Sequence, residues 1–297
     1  MFGFKPTLPP SNTAPAAPPP KPVKRFNPFL PPQPELLVGP AEEYDFNVVL
    51  NKFTVVKDHI LLTTKAFKNQ SCLLSQSELY TLWKATLSFE SERSSYLPDG
   101  SPNLAPDTQR AFAFHNNGVA SGCSVHHRHL QILPWGDMPI ADLIRKAGSQ
   151  KLGVPFTLPS LPFVHSVVLL PASLRQSSHV PTPETGAQLY ALYMDAYEAA
   201  YAPLGYSRVQ LVDHFKGFDE KLEDFHETAL SSNFIMTREF IYVTPRTQTR
   251  NRGIHVHSMG MAGLLVATSE EELAEIRSHG PMDILKGASV VKDAVKL

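Results

Sequence analysis

The chain has 297 residues, a 42% apolar and 19% charged composition and a formal net charge of −1, which is enough to bury a full core and fits a water-soluble globular protein. Without an excess of Lys and Arg it has no general field to hold a long nucleic acid by its phosphates, although a small anionic ligand in a local pocket stays open. Only Cys72 and Cys123 occur and no apolar run approaches a membrane span, so the expectation is a reducing compartment, the cytoplasm with the nucleus as alternative, and no membrane partner.

Residues 1–34 carry 12 of the 27 prolines, four basic residues and no acid. Proline at that density favours an extended, solvated chain, so 1–34 is read as a disordered tail, and too little Arg and Ser argues against organelle targeting. One domain over 35–297 follows, with parts at about 35–180 and about 181–297. FNVVL (46–50) and HILLTT (59–64) read as antiparallel strands around Asn51-Lys52 and Lys57-Asp58. Ser75 with Glu78 is a capping box, and Leu79, Leu82, Trp83 and Leu87 recur at helical spacing, predicting a helix over about 76–94. Turn formers fill 95–109 before a strand candidate, RAFAF (110–114).

Past residue 135, a Gly- and Pro-punctuated connection runs over 136–162 and FVHSVVLL (163–170) returns to strand character. Thr182-Pro183-Glu184 supplies an N-cap, a first-turn proline and an acid for a helix whose buried stripe is Leu189, Leu192, Tyr193, Ala196, Tyr197 and Ala200. The tyrosines at 190, 193 and 197 read as core packing. FIMT (234–237) and EFIYVT (239–244) flank Thr237-Arg238 as a tight pair, AGLLVA (262–267) is apolar throughout, and Ser269 with Glu272 caps a helix that Gly280 ends. Strands and helices mix without a βαβ alternation, which predicts an α+β fold with a mostly antiparallel sheet flanked by helices.

The chemistry concentrates in GCSVHHRHLQILPW (122–135). On a strand, His127, His129 and Gln131 share one face while Arg128, Leu130 and Ile132 share the core-facing one, leaving His126 outside the row as a surface residue. Upstream, HNNGVASGCS (115–124) is rich in small and hydrogen-bonding residues, as anion-binding loops are. A neutral imidazole is a good nucleophile toward phosphorus near pH 7, and a covalent intermediate splits one hard displacement into two easier ones. An amide at 131 bonds but exchanges no proton, which favours an anionic acceptor such as phosphate over water. His255-Val256-His257 is a second His-x-His, yet neither pair has the nearby Cys or carboxylate usual at zinc, so no metal is assigned. Lys52 reads either as a solvated turn lysine or as an anion ligand, and Cys123 is not read as a nucleophile.

The row His127-x-His129-x-Gln131, after Asn116-Asn117-Gly118 and Ser121-Gly122-x-Ser124, resembles the diadenosine tetraphosphate phosphorylases (ATP adenylyltransferases), relatives of the histidine-triad (HIT-like) and sugar-nucleotide transferase proteins in which Gln replaces the last His. The similarity extends to NPFLPPQPELLVG (27–39), LNKFTVVKDHILLTTKAFKNQ (50–70), SNFIMTREFIYVTPR (232–246) and HSMGMAGLLVATSEEEL (257–273). It implies a HIT-like catalytic domain in which His129 takes the adenylyl group, His127 orients it and Gln131 bonds the α-phosphoryl oxygens. It also assigns Asn51, Lys52, Asn116, Ser121, Gly122, Cys123, Ser124, His257, Ser258 and Met259 to the nucleotide and phosphate site. The implied partners are a dinucleoside polyphosphate, phosphate, ATP and ADP; no cofactor is required, though a divalent cation can accompany the nucleotide. The chain departs from the family at His257 (usually Asn), Leu264 (often Met) and Thr268 (usually basic), which leaves open another dinucleotide or adenosine 5'-phosphosulfate as donor. Two alternatives remain: a nucleotide-sugar transferase, which shares His-x-His-x-Gln, and a nucleotide-binding protein of the same fold without turnover.

Overall fold

A computed structural model describes residues 26–41, 45–54, 56–95 (backbone only for 91–95), 110–134, 138–176, 180–216 and 230–295. Short runs rich in β-branched and aromatic residues pair as β1 (Leu37–Ala41), β2 (Phe46–Leu50), β3 (Ile60–Thr64), β4 (Ala111–Asn117), β5 (His129–Pro134), β6 (Pro155–Phe156), β7 (Ser166–Leu169), β8 (Ser231–Met236) and β9 (Phe240–Arg246). They form one nine-stranded sheet in the order β1-β2-β3-β5-β4-β8-β9-β7-β6, antiparallel at every pairing. A ribbon of β10 (Arg250–Asn251) and β11 (Ile254–His255) follows. The helices are α1 (Gln76–Ser95), α2 (Pro139–Lys146), α3 (Ala172–Arg175), α4 (Pro183–Tyr201), α5 (Arg208–Lys216), α6 (Ser258–Met261), α7 (Glu270–His279) and α8 (Pro281–Gly287). The expected α+β architecture is observed.

Because successive strand residues face opposite ways, the sheet separates two cores. Leu62, Ala113, Leu130, Ile132, Phe234 and Ile241 meet Leu79, Leu82 and Trp83 of α1 and the Leu189–Ala200 stripe of α4. Phe112, Phe114, Leu133, Ile235 and Tyr242 meet Ile140 and Ile144 of α2, Met259 and Met261 of α6, and Ile284 and Leu285 of α8. Asn116, His129 and Gln131 share strand parity with the second set and therefore lie on the α6 face. β8 and β9 insert between β4 and β7, so residues from both 35–180 and 181–297 are joined in one sheet.

The predicted helix caps form. Ser75 and Glu78 exchange bonds of 2.7 and 3.2 Å, Thr182 and Thr185 make a reciprocal box at α4, and Ser269 accepts from the Glu272 amide. Other expectations change. The connection over 136–162 contains α2, entered through Pro139, and β6. α5, unassigned from sequence, is capped by a Ser207–Gln210 exchange, a Ser-x-x-Gln capping box present in the sequence. Within AGLLVA, Ala262 ends α6 and residues 264–267 form no regular element. Of the turn-rich 95–109, residues 96–109 lie outside the described residues.

The tail reading of 1–34 is corrected at its end. Residues 1–25 lie outside the described residues, but 26–34 form turns and an isolated Phe29↔Pro32 bridge. Phe29 is 7% exposed. It packs with Val49 and Leu61, so burial of an aromatic ring outweighs the proline-driven preference for a solvated chain.

Candidate active site

Two groups behind β5 fix the backbone of His129. Gln70, buried in the turn after β3, accepts from the His129 amide at 2.8 Å and donates to the carbonyls of His129 and Asn116, both at 3.1 Å. Its amide thus bridges β4 and β5 beyond the last paired residues, Phe114 and Gln131, where the ladder opens. That turn is in turn held by Arg128, whose guanidinium donates to the carbonyls of Asn69 (2.7 Å) and Cys72 (3.0 Å) and pairs with Glu78 at 3.0 Å. Arg128 does face the core, but as a buried, fully engaged cation. β5 begins only at His129, and His127 belongs to an isolated bridge with Asn69.

The side chain of His129 has a defined tautomer. Its Nδ1 lies 2.9 Å from the carbonyl of His127, which can only accept, so Nδ1 carries the proton and Nε2 keeps its lone pair. Burial holds the imidazole well below the ordinary histidine value, at about 4, with nearby His127, Arg128 and His59 acting in the same direction. The ring is therefore neutral at physiological pH. Phe29 packs against it at 5.4 Å between ring centroids.

His127 acts on His129 through its carbonyl, because its own ring is engaged elsewhere. Nε2 donates to the Thr64 carbonyl at 2.6 Å, and Nδ1 accepts from Asn27 Nδ2 at 3.0 Å. Phe29 and Phe67 meet the ring edge-on. His126, expected at the surface, is half-buried.

Around His129 the acceptors are occupied and the donors are left over. Asn116 Oδ1 accepts from the Ser258 amide (3.1 Å), Ser258 Oγ (2.7 Å) and Asn233 Nδ2 (2.9 Å), which leaves the Asn116 NH2 group to donate. Gln131 Oε1 accepts from His59 Nε2 at 3.0 Å, which leaves its NH2 group likewise. Asn233 is oriented by Arg246, a buried cation that bonds the carbonyls of Ala288 and Val256 and is lowered to about 9 by burial. The His257 ring caps α6 by accepting from the Met259 amide at 3.2 Å. Burial holds it near 4, with His255, Arg246 and His59 adding to the shift.

The glycine-rich loop closes on this segment. Gly122 has φ +86°, and a Cβ there would stand 2.8 Å from both His257 Cβ and the Val256 carbonyl. Several residues that the resemblance assigned to ligand binding also bond within the protein. Ser121 Oγ donates to the Gly118 carbonyl at 2.6 Å, Cys123 Sγ contacts the Val125 carbonyl at 3.1 Å, and Asn51 is bonded to His59 at 2.9 Å. Burial pushes the Cys123 thiol up to about 12, so it supplies no thiolate. Ser258 and Met259 are buried under Asn116 and His257, whereas Ser124 and Lys52 are exposed and open to a ligand.

Sequence reading missed His59, Gln70, Asn27, Phe29, Asn233 and Arg246. A signal existed for His59, which shares strand parity with Leu61, but its relevance depends on β3 pairing with β5, with Leu61 opposite Gln131. His255 and His257 lie 5.6 Å apart, and among the described residues no group of three or more His, Cys, Asp or Glu is placed to hold a metal ion.

Comparison with known proteins gives two matching family models. One, described as the Ap4A phosphorylase N-terminal domain, matches residues 12–92, and the other, the ATP adenylyltransferase C-terminal domain, matches 159–291. Diadenosine 5',5'''-P1,P4-tetraphosphate phosphorylase 2 of Saccharomyces cerevisiae is 26% identical over 264 residues, spanning 85% of this chain and 72% of the relative. Protein APA1 of the same yeast is 26% identical over 262 residues, spanning 84% and 71%. The crystal structure of yeast Ap4A phosphorylase Apa2 superposes with a TM-score of 0.68 at 24% identity, covering 90% of this chain and 82% of that one. At that identity the structural likeness is one of fold.

Proposed function

The chain belongs to the Ap4A phosphorylase family, and from that premise we propose that it phosphorolyses diadenosine 5',5'''-P1,P4-tetraphosphate through an adenylyl group carried on Nε2 of His129. The observation that carries the mechanism is the His129 Nδ1–H bond to the His127 carbonyl, which leaves the attacking lone pair on Nε2, on the strand face that His129 shares with Gln131.

In the first half-reaction Nε2 attacks the α-phosphorus, a P–N bond forms, and the bond from that phosphorus to the bridging oxygen breaks to release ATP. In the second, an oxygen of inorganic phosphate attacks the same phosphorus, the P–N bond breaks and ADP leaves. The His127 carbonyl stabilises the imidazolium formed in between through the Nδ1 proton. The NH2 groups of Gln131 and Asn116 donate to the phosphoryl oxygens as their charge grows, and Lys52 and Ser124 add an exposed cation and hydroxyl for the remaining phosphates. Any divalent cation arrives with the polyphosphate. Gln131 has no proton to exchange with water, so the intermediate awaits an acceptor that is already anionic.

The test is intact-mass analysis of the protein given the dinucleotide without phosphate. An adenylyl adduct that maps to His129, disappears on adding phosphate with release of ADP, and is absent from His129→Ala is the expected result. Turnover that is equal with and without phosphate, or an active His129→Ala, would exclude this mechanism.

A further inference from the structure

We infer that His59 is a positioning residue that sets the donor polarity of Gln131, through a hydrogen-bond chain whose direction originates at a backbone amide in the β2–β3 hairpin. The chain has three links. The Phe53 amide donates to Asn51 Oδ1 at 3.0 Å, Asn51 Nδ2 donates to His59 Nδ1 at 2.9 Å, and His59 Nε2 donates to Gln131 Oε1 at 3.0 Å.

Only one end of this chain cannot be reversed. A backbone N–H donates and never accepts, so Asn51 must turn its oxygen toward Phe53 and its NH2 toward His59. His59 Nδ1 must then accept, which puts the ring proton on Nε2. That proton in turn requires the Gln131 oxygen, and the Gln131 NH2 group is left for the site. Without the chain, Asn51, His59 and Gln131 could all flip together and turn a carbonyl toward the substrate. A carbonyl there would lose a hydrogen bond to the phosphoryl group and set lone pairs against its negative oxygens.

The fold makes the chain possible and shields its His59 end. β3 pairs with β5 so that Leu61 stands opposite Gln131, which brings His59, two residues earlier on the same face, beside the amide. His59 is 6% exposed, so little water competes for Gln131 Oε1. A second clamp, the Asn51 amide to the His59 carbonyl at 3.1 Å, holds the two residues in register. Both ring nitrogens of His59 are engaged, so it acts through Gln131 rather than on the substrate. Asn51, assigned to the nucleotide by resemblance, belongs to the same relay.

The inference rests on Gln131 serving as a donor to the α-phosphoryl group. The test compares dinucleotide phosphorolysis in His59→Phe, His59→Gln, Gln131→Ala and the His59→Phe/Gln131→Ala double variant. His59→Phe is expected to lower kcat about 10- to 100-fold with KM changed less than about threefold, as when a support behind a reacting group is lost. His59→Gln, whose amide can donate to Gln131 Oε1, is expected to recover part of that loss. In the Gln131→Ala background, His59→Phe is expected to lower kcat no further. An unchanged kcat in His59→Phe, or the same loss in both backgrounds, would overturn the relay and leave His59 as packing.

Asn51→Leu, at a half-buried hairpin position, covers the case in which His59→Phe fails to fold. It is expected to lower kcat in the same direction, and an unchanged kcat counts equally against the relay. A wild-type chain that forms no adenylyl adduct refutes the functional reading rather than the relay. The relay then stands or falls on nitrogen NMR of the His59 ring, expected to show the proton on Nε2 in the wild type and a mixture of tautomers in Asn51→Leu. A wild-type ring with its proton on Nδ1 refutes it.

Discussion

In the proposed mechanism, Gln131 separates two outcomes for the covalent intermediate. An imidazole at this position could take a proton from water as it attacks, whereas the amide can only hold the phosphoryl oxygens. Gln131→His is therefore expected to raise the share of hydrolysis, read as the ratio of AMP to ADP released from diadenosine tetraphosphate at fixed phosphate. A ratio equal to the wild type would remove the glutamine from the account of acceptor choice. Sequence parity alone places His127, His129 and Gln131 on one face; in the structure His129 and Gln131 share β5, while His127 precedes it in an isolated bridge with Asn69. What parity could not reveal is that His127 works through its carbonyl, because the Thr64 carbonyl and Asn27 that engage its ring come from other segments.

At the scale of elements, the glycine-rich loop is shaped by what it touches rather than by its flexibility. Gly122 occupies the left-handed region, and its hydrogen faces the Val256–His257 backbone at a distance that no Cβ tolerates. Gly122→Ala is expected to destabilise the protein by about 1–3 kcal/mol, measured by urea unfolding, and to raise KM for the dinucleotide because the loop must withdraw from α6. Wild-type stability together with wild-type KM would mean that the loop and α6 are not tightly apposed. The helix caps were legible because Ser75–Glu78, Thr182 and Ser269 bond within one turn of their own helices. The start of β5 was not legible, since Arg128 and the His129 backbone are held by the turn around Asn69 and Gln70, far earlier in the chain.

Across the whole molecule, His59, His129, His165 and His257 are all held near 4, burial being the largest cause in each. His115 and His127 are lowered in the same direction by burial. Between about pH 6.5 and pH 4 the unfolded chain binds protons that the folded chain refuses, so stability is expected to fall as pH is lowered through that window and to be flat in these groups above it. Glu90, raised by burial, acts in the opposite sense, one group against several. Thermal unfolding midpoints from pH 8 to pH 4 at constant ionic strength check this. A midpoint unchanged or rising from 6.5 to 4 would contradict the burial of neutral imidazoles, His129 among them.

The sequence by itself determined the α+β class, β2 and β3 among the three strands before α1, the capped helices and the polar face of β5, because each depends on spacing within one segment. It also singled out His129 as the candidate nucleophile, since strand parity and the family blocks converge there. Only the tertiary structure decided which atoms are already engaged: it leaves Nε2 on His129 and the NH2 groups of Asn116 and Gln131, while the Ser121 hydroxyl donates to Gly118 and the Asn51 amide uses its oxygen and one N–H within the protein. The physical reason is that a hydrogen-bonding side chain offers to a ligand what its neighbours have not already taken. Here those neighbours, Asn27, His59, Gln70, Asn233 and Ser258, are brought to β4 and β5 from distant stretches of the chain by the pairing of the sheet and the packing of α6.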